Sequence, residues 1–323
     1  MLVVKGISKT YPGEQFGAVN DVSFILEENQ VLALIGKSGS GKSTILQMIA
    51  GLMKPDTGEV FFNGERLENP EEQLIAGHPD IKMVFQDFQL KPNMTVEENV
   101  KYVLLQFDKQ FQKERTAELL DLCGIAALAD RKPNELSGGQ LQRLSIASAL
   151  AEEPKLLLMD EPFSNLDPIT KENLLMELVD IIKSEELSLV FVTHDTRDAM
   201  WIADRMVFLS EGELIQNDTV ANLYNSPLNL EIAGFFGRIN DFSKALNVES
   251  CFVRAEYCAY NLEGEGVKVE LKKSVFIGDR YFNEAIIASS NLAIYFYSTA
   301  PLEVKERSIY VTFDRDKILE FKQ

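Results

Sequence analysis

The feature that most constrains the fold of this chain is the segment GKSGSGKST, which runs from Gly36 to Thr44 and satisfies the pattern GxxxxGK[ST]. It follows a continuous apolar run, VLALIG at 31–36, which is typical of a strand buried within a parallel or mixed sheet. It precedes TILQMIAGL, whose apolar spacing indicates a helix. Strand, glycine-rich loop and helix in this order predict a phosphate-binding loop, because backbone N–H groups and the helix dipole converge on an anion there.

The loop predicts a site for ATP and Mg²⁺. We expect Lys42 to reach the β- and γ-phosphates and the Ser43 hydroxyl to bind the metal ion. The other residues expected to contact the nucleotide here are Gly36, Lys37, Ser38, Gly39, Ser40, Gly41 and Thr44. The alternative is a plain Gly/Ser turn, and the apolar strand ahead of the loop argues against it.

Two acidic residues, Asp160 and Glu161, follow another apolar run, LLLM. They would lie at the carboxyl end of a strand, where ligands of open α/β sheets bind. Asp160 is then placed to hold Mg²⁺, and Glu161 to orient and polarise an attacking water. The alternative is a pair of carboxylates that cap a turn before Pro162, which the presence of the phosphate loop disfavours.

The segment LSGGQ at 136–140 continues as LSGGQLQR to Arg143. Ser137 followed by two glycines ahead of a helical run predicts a second anion site at a helix N-terminus. A plain helix cap would explain Ser137 but not the Gly-Gly-Gln that follows.

The alternation of apolar strands with helical patterns predicts an α/β fold, a P-loop ATPase core with a helical insertion at about 87–150. A Pro-containing turn and a short helix at 225–242 mark a boundary. Beyond it, GVKVELKKSVFIG, LAIYFYS and SIYVTFD alternate with period two and predict a small β-barrel-like, OB-like domain. The predicted domains are therefore 1–235 and 240–323.

Composition narrows the class of protein. A net charge of −18 argues against a protein that coats nucleic-acid backbone, and no nucleic-acid partner is expected. Three cysteines without a CxxC spacing indicate neither a disulfide framework nor a zinc site. The N-terminal sequence lacks the pattern of a secretion signal, and no apolar run approaches the roughly 18 residues that cross a bilayer. A membrane role would therefore depend on a partner.

Taken together, these motifs resemble those of the nucleotide-binding subunits of ATP-binding-cassette (ABC) transporters, and the resemblance covers residues 1 to about 235. It implies that Tyr11 stacks on adenine and that Gln86, in MVFQDF, senses Mg²⁺ and the attacking water and faces a transmembrane partner. It also implies that SNLD at 164–167 is the D-loop, with Asn165 where alanine is commoner. His194, after the strand SLVFVT, corresponds to the switch histidine at the γ-phosphate, although a lone His at a strand end is often only structural.

The resemblance further implies a head-to-tail dimer with two ATP molecules at its interface. Ser137, Gly139 and Gln140 of one copy would meet the γ-phosphate bound by the other, and Asp167 would bridge the interface. Closure and opening of the dimer would drive transmembrane permease subunits at the cytoplasmic face of a prokaryotic-type membrane.

The β-rich tail resembles the small domain that follows the ATPase in some importer subunits, through FFGRIN at 235–240, VRAE at 253–256 and VFIGDRY at 275–281. This implies solute import together with an extracytoplasmic solute-binding protein. The alternatives are an exporter ATPase, which would share every cassette motif, and a soluble ABC ATPase that acts on ribosomes or nucleic acid. The tail domain itself is either regulatory or a stabiliser of the dimer.

Overall fold

A computed structural model describes residues 1–13, 16–73, 76–164, 166–303 and 309–321. The contacts within the chain divide it into two compact units, Met1–Val220 and Ala221–Gln323. Each unit is described separately below. Among the described residues, no helix combines the length and the apolarity needed to cross a membrane.

The first unit is built on two sheets. Its strands are, in chain order, β1 (Leu2–Lys9), β2 (Val19–Leu26), β3 (Val31–Gly36), β4 (Thr57–Phe62), β5 (Glu65–Arg66), β6 (Ile81–Val84), β7 (Leu156–Asp160), β8 (Ser188–Val192), β9 (Arg205–Ser210) and β10 (Glu213–Thr219). Six of them form the central sheet in the order β10-β9-β3-β8-β7-β6, and four form an antiparallel sheet in the order β2-β1-β4-β5.

The helices of the first unit lie between these strands. They are α1 (Lys42–Ile49), α2 (Val96–Val103), α3 (Lys109–Leu122), α4 (Gly138–Leu150), α5 (Pro168–Ser184) and α6 (Thr196–Ile202). Helices α2, α3 and α4 occupy the predicted helical insertion, and each begins at a residue whose side chain accepts a hydrogen bond from the first turn, namely Thr95, Asp108 and Ser137. The predicted α/β core with a helical insertion is confirmed.

The central sheet is parallel except for β10. Strands β3 and β8 are buried along their whole length, as expected for strands with helices or sheets on both faces. Leu34 of β3 and Asp160 of β7 both pair with Val192 of β8, and Met159 pairs with Val84 of β6. The carboxyl ends of these four strands therefore lie along one edge of the sheet.

A single hydrophobic cluster joins the two sheets and α1. It includes Leu2 and Phe24 from the antiparallel sheet, Leu34 and Val190 from the central sheet, and Ile45 from α1. All of these side chains are buried, so the helix that follows the phosphate loop is fixed at its base by the core.

The second unit is rich in short antiparallel strands, as predicted for the C-terminal region. Its helices are α7 (Val220–Asn225), which begins at the last residue of the first unit, α8 (Leu230–Phe235) and α9 (Ser243–Leu246). Its strands are β11 (Ile239–Asp241), β12 (Phe252–Arg254), β13 (Cys258–Asn261), β14 (Val267–Phe276), β15 (Tyr281–Ile287), β16 (Ala293–Ser298), β17 (Ile309–Phe313) and β18 (Ile318–Leu319). They pair as β11-β12-β18 and as β13-β17-β14-β15-β16.

Two buried polar side chains tie the second unit together. The amide of Asn240 donates to the carbonyl of Tyr295 at 2.7 Å and accepts from its N–H at 2.8 Å, which joins the two sheets. Arg254, 1% exposed, donates to the carbonyls of Tyr224 and Ala233 at 2.6 and 2.9 Å. Arg254 thus holds α7 and α8 within the second unit. The boundary between the two compact units lies at residue 220, whereas the predicted first domain extends to residue 235. The predicted functional domains, 1–235 and 240–323, stay a prediction, as does the OB-like description of the tail.

The three cysteines are buried free thiols. Burial raises the pKa of Cys123 to about 12, and it also raises the pKa of Cys258 to about 12. Neither thiol would therefore carry appreciable thiolate at neutral pH, which fits packing roles for both.

Candidate functional site

The loop Gly36–Thr44 joins β3 to α1, and its backbone requires glycine at two positions. Gly36 has a φ of +146°, and a Cβ there would stand 2.1 Å from the carbonyl oxygen of Leu209. Gly41 has a φ of +92°, and a Cβ there would stand 2.2 Å from the carbonyl oxygen of Ala18. Side chains at these positions would clash with backbone, so the loop can follow this path only as the sequence has it.

Lys42 opens α1 and folds back over the loop. Its Nζ donates to the carbonyls of Gly36 and Lys37 at 2.9 and 2.7 Å and contacts Ser40 Oγ at 3.2 Å. Burial lowers the pKa of Lys42, while the charges of Glu161 and Asp160 oppose that change. The loop thus encloses a positive charge next to its backbone N–H groups, which is the arrangement that a polyphosphate requires.

Ser43 and Asp160 bring two oxygen atoms together across the sheet edge. Ser43 Oγ donates to Asp160 Oδ1 at 2.9 Å. A hydroxyl and a carboxylate oxygen are hard ligands of the kind that Mg²⁺ prefers, so the donor set fits this ion. Burial raises the pKa of Asp160, the Ser43 hydrogen bond lowers it, and the neighbouring Glu161 raises it further.

The raised pKa of Asp160 has a consequence for stability. Folding then favours the neutral carboxyl, so the ionised form destabilises the fold once the pH rises above the usual carboxyl range. We expect Asp160→Asn, which keeps an oxygen to accept from Ser43, to raise the Tm of the nucleotide-free protein at pH 7.5 by about 1–3 °C. The gain should shrink as the pH falls towards 4, because Asp160 takes up its proton more readily in the folded than in the unfolded chain. Calorimetry at both pH values checks this, and an unchanged or lower Tm at pH 7.5 would contradict it.

Glu161 follows directly in an unusual backbone conformation. Its φ is +46°, which is sparsely populated by residues other than glycine. The conformation is held because the Glu161 N–H donates to the Val192 carbonyl at 3.1 Å and the Ser164 hydroxyl donates to the Glu161 carbonyl at 3.0 Å. Strained residues of this kind cluster at functional sites, where the strain aims a side chain.

Glu161 is paired with His194, which follows β8. His194 Nδ1 lies 3.4 Å from Glu161 Oε1, and the two side chains are 62% and 28% exposed. Both side chains are therefore open to solvent beside the phosphate loop. A carboxylate and an imidazole in contact form an arrangement that can accept and hold a proton.

The segment Leu136–Gln140 lies at the start of α4. Ser137 Oγ accepts from the Gln140 N–H at 3.4 Å, and Gln140 Oε1 accepts from the Ser137 N–H at 2.9 Å. A Cβ at Gly139 would stand 2.6 Å from Thr170 Cγ2. Ser137 and Gln140 are therefore a capping box, and Gly139 permits close packing, so these residues have local structural roles. Their role towards a second nucleotide stays a prediction.

The remaining predicted residues surround the sheet edge. Tyr11, half-buried, shares a hydrogen bond with Thr44 Oγ1 at 3.1 Å, which places its ring beside the end of the loop. Gln86 is exposed in the turn after β6. Asp167 caps α5 by accepting from the Thr170 N–H at 3.1 Å, and the pKa of Asp167 is lowered by the Thr170 side chain first and by this backbone hydrogen bond second. The D-loop residue Asn165 lies outside the described residues.

The sequence reasoning missed the residues that pack around His194. Thr193, Asp195, Asp198 and Lys171 line one cavity together with Glu161 and His194. No signal in the sequence pointed to this cluster: Lys171 stands one helical turn after Asp167, but no local spacing shows that α5 meets the segment around His194.

Comparison with known proteins agrees with this geometry. The family model described as "ABC transporter" matches residues 19–164. The glycine betaine/carnitine transport ATP-binding protein GbuA of Listeria monocytogenes is 36% identical over 84% of this chain and 70% of its own length. The spermidine/putrescine import ATP-binding protein PotA of Fusobacterium nucleatum is 36% identical over 86% and 72%. The Fe(3+) ions import ATP-binding protein FbpC of Haemophilus influenzae is 37% identical over 73% and 68%.

Among solved structures, the chain is similar to a dimeric post-hydrolysis state of the ATP-binding cassette MJ0796 bound to ADP and Pi. The identity is 33%, the TM-score is 0.61, and the match covers 68% of this chain and 99% of that one.

Proposed function

This chain belongs to the family of ABC transporter ATP-binding subunits, which hydrolyse ATP, and from that premise we propose that it is the motor of a solute importer. The observation that carries the proposal is the convergence at one sheet edge of the phosphate loop, the Ser43–Asp160 pair and the Glu161–His194 pair. One edge of the sheet thus carries an anion-binding loop, hard oxygen ligands and a proton acceptor. Phosphoryl transfer to water needs all three.

ATP would bind with its phosphates in the loop and its adenine on Tyr11. Lys42 would turn its charge to the β- and γ-phosphates, with the loop's N–H groups around them. Ser43, Asp160 and Gln86 would hold Mg²⁺, which would neutralise developing charge on the phosphate oxygens. The proximity of Ser43 Oγ to Asp160 supports this assignment.

Glu161 would orient and polarise the attacking water, and His194 would contact the γ-phosphate. The backbone of Glu161 at positive φ aims its carboxylate to the edge of the sheet, and the 3.4 Å contact with His194 keeps the two groups in one place. Positioning of this kind is the main contribution that a protein makes to phosphoryl transfer.

The working unit would be a symmetric dimer of this chain. In a two-fold arrangement, a surface that meets its partner does so twice, so the loop of each copy can face Ser137, Gly139 and Gln140 of the other. Asp167 would lie at the same interface. The similarity to a dimeric cassette bound to ADP and Pi supports this arrangement.

The motor would act on permease subunits at the cytoplasmic face of a prokaryotic-type membrane, together with a solute-binding protein outside it. Relatives named as import ATP-binding proteins favour import over export. Their printed solutes, a polyamine and ferric ion, are chemically unrelated, which supports placing solute selection in other subunits. A net charge of −18 disfavours a soluble ATPase acting on nucleic acid.

The experiment is affinity purification of the tagged chain from detergent-solubilised membranes of its own host. We expect polytopic membrane proteins to co-purify in defined stoichiometry, and ATP hydrolysis by the complex to respond to them. Recovery of ribosomes or nucleic acid in place of membrane proteins would contradict the proposal. The Glu161→Gln chain is a useful second bait, since it should stay in the ATP-bound state.

A further inference from the structure

Lys171 lies at the centre of a small charge cluster behind His194. Its Nζ is 2.6 Å from Asp195 Oδ2 and 2.7 Å from Asp198 Oδ1. The Lys171 side chain is 22% exposed and that of Asp198 only 4%. This is a partly buried network, and therefore differs from a solvent-exposed ion pair, whose effect would be small.

The two aspartates are built into the segment that carries His194. The Asp195 N–H donates to Thr193 Oγ1 at 3.0 Å, and Thr193 Oγ1 donates to Asp198 Oδ2 at 3.4 Å. Asp195 Oδ1 also caps α6 by accepting from the Arg197 N–H at 2.9 Å. His194 thus stands between two residues whose positions the network fixes.

Lys171 belongs to a different element, α5. That helix begins at Asp167, whose carboxylate caps it, and Lys171 lies one turn further along. The Lys171 ammonium therefore links the helix capped by Asp167 directly to the carboxylates of Asp195 and Asp198, which follow His194.

The charges of the cluster depend on one another. Burial would lower the pKa of Lys171, but the hydrogen bonds and charges of Asp195 and Asp198 outweigh it and raise that pKa. Burial alone would raise the pKa of Asp195, yet the Lys171 hydrogen bond brings it below its ordinary value. At Asp198 burial prevails and the pKa is raised. Lys171 is the cation that both carboxylates contact, and its ammonium therefore directs them at one point.

We propose that Lys171 is a positioning residue for ATP hydrolysis, which holds His194 against Glu161 and ties His194 to the helix of Asp167. The proposal rests on the role that the proposed function gives to His194. Lys171 touches neither nucleotide nor water in this scheme, and its effect passes through Asp195 to the imidazole. A small displacement of a catalytic group is enough to slow a reaction strongly, so the effect belongs in kcat and not in ATP affinity.

The test compares steady-state ATP hydrolysis by the unaltered chain with Lys171→Met, Lys171→Arg and the control Lys183→Met. Lys183 is exposed near the end of the same helix. We expect kcat of Lys171→Met to fall about 10- to 100-fold with KM changed less than about 2-fold. Lys171→Arg should recover most of the loss, because a guanidinium can span both carboxylates, and Lys183→Met should match the unaltered chain.

A second pair of variants separates positioning from folding. Lys171→Met/Asp198→Asn removes the cation together with its buried partner, so the only carboxylate of the cluster that loses its cation is that of Asp195, which is 36% exposed. We expect this variant to fold normally and yet to keep the low kcat, since the link to Asp195 is still missing. Recovery of the unaltered kcat in it would overturn the proposal.

The decisive readout is made on the His194→Ala background. If Lys171 acts through His194, adding Lys171→Met there should lower kcat no further. A full additional loss would overturn the proposal and leave the proposed function standing. Full activity of His194→Ala by itself would instead overturn the role of His194 in the proposed function.

Discussion

A Glu161→Gln variant should bind ATP as tightly as the unaltered chain while its turnover number falls about 10²- to 10⁴-fold, the range that loss of a general base produces. Glutamine has nearly the same shape, and its backbone tolerates the same φ of +46° about as well. It can neither accept a proton nor polarise water as a carboxylate does. The contact with His194 at 3.4 Å would survive as a neutral one.

The measurement is equilibrium binding of ATP together with single-turnover hydrolysis, followed by size-exclusion chromatography with ATP present. Because hydrolysis would no longer open the dimer, dimers should accumulate in the variant and not in the unaltered chain. Glu153→Gln is the matched control, since Glu153 is exposed and also has a positive φ, of 54°, in the turn after α4. Turnover near the normal rate in Glu161→Gln would remove Glu161 from the chemistry.

The sheet edge at which these groups converge could be predicted from sequence for a physical reason. Gly36, Asp160 and His194 each follow a short apolar run, and strands that read this way are buried in parallel sheets. Parallel strands end at a common edge, so the three positions had to come together. The strands of the C-terminal region could also be predicted, because alternation of apolar and polar residues with period two indicates a strand with one buried face.

Other features depend on contacts that no local pattern records. The ion pairs of Lys171 join α5 to two residues that lie 24 and 27 positions further along the chain, and the sequence of neither segment indicates that the two meet. Arg254 belongs to the segment VRAE, and nothing in that segment indicates that its side chain is 1% exposed and binds the carbonyls of α7 and α8.

The segment Leu136–Gln140 has local contacts that its sequence did not predict. Its rarity predicted a special function, while the structure gives Ser137 and Gln140 a capping box and Gly139 a close contact with Thr170. Local roles and a role in a second copy are compatible, because the capping box leaves the N-terminus of α4 exposed around Ser137. An experiment that combines two different copies in one dimer distinguishes the local role from the role towards the second copy.

Two inactive variants should therefore restore activity when they are combined in one dimer. Lys42→Ala removes the cation of the loop, and Ser137→Asp keeps the helix cap while placing a negative charge towards the partner's phosphate. Each variant alone should lose nearly all ATP hydrolysis. In a mixed dimer, one nucleotide would meet both defects and the other neither, so about half of the unaltered activity should return. The mixed dimer is isolated through two different tags after co-expression, and its hydrolysis is measured directly.

The matched control carries the same two substitutions on one chain, paired with an unaltered chain. If each site combines the loop of one copy with Ser137 of the other, both sites of this dimer are damaged and it should be inactive. If each copy instead forms its own site, the unaltered chain of the control dimer keeps a whole site. The control dimer should then be active and the mixed dimer inactive. The two dimers have identical composition, because each contains both substitutions once. Ser137 is exposed, and Lys42, although buried, lies outside the hydrophobic cluster of the two sheets and α1. Activity in the control and none in the mixed dimer would show that the loop and the signature segment serve the same copy, and the two-copy site would have to be abandoned.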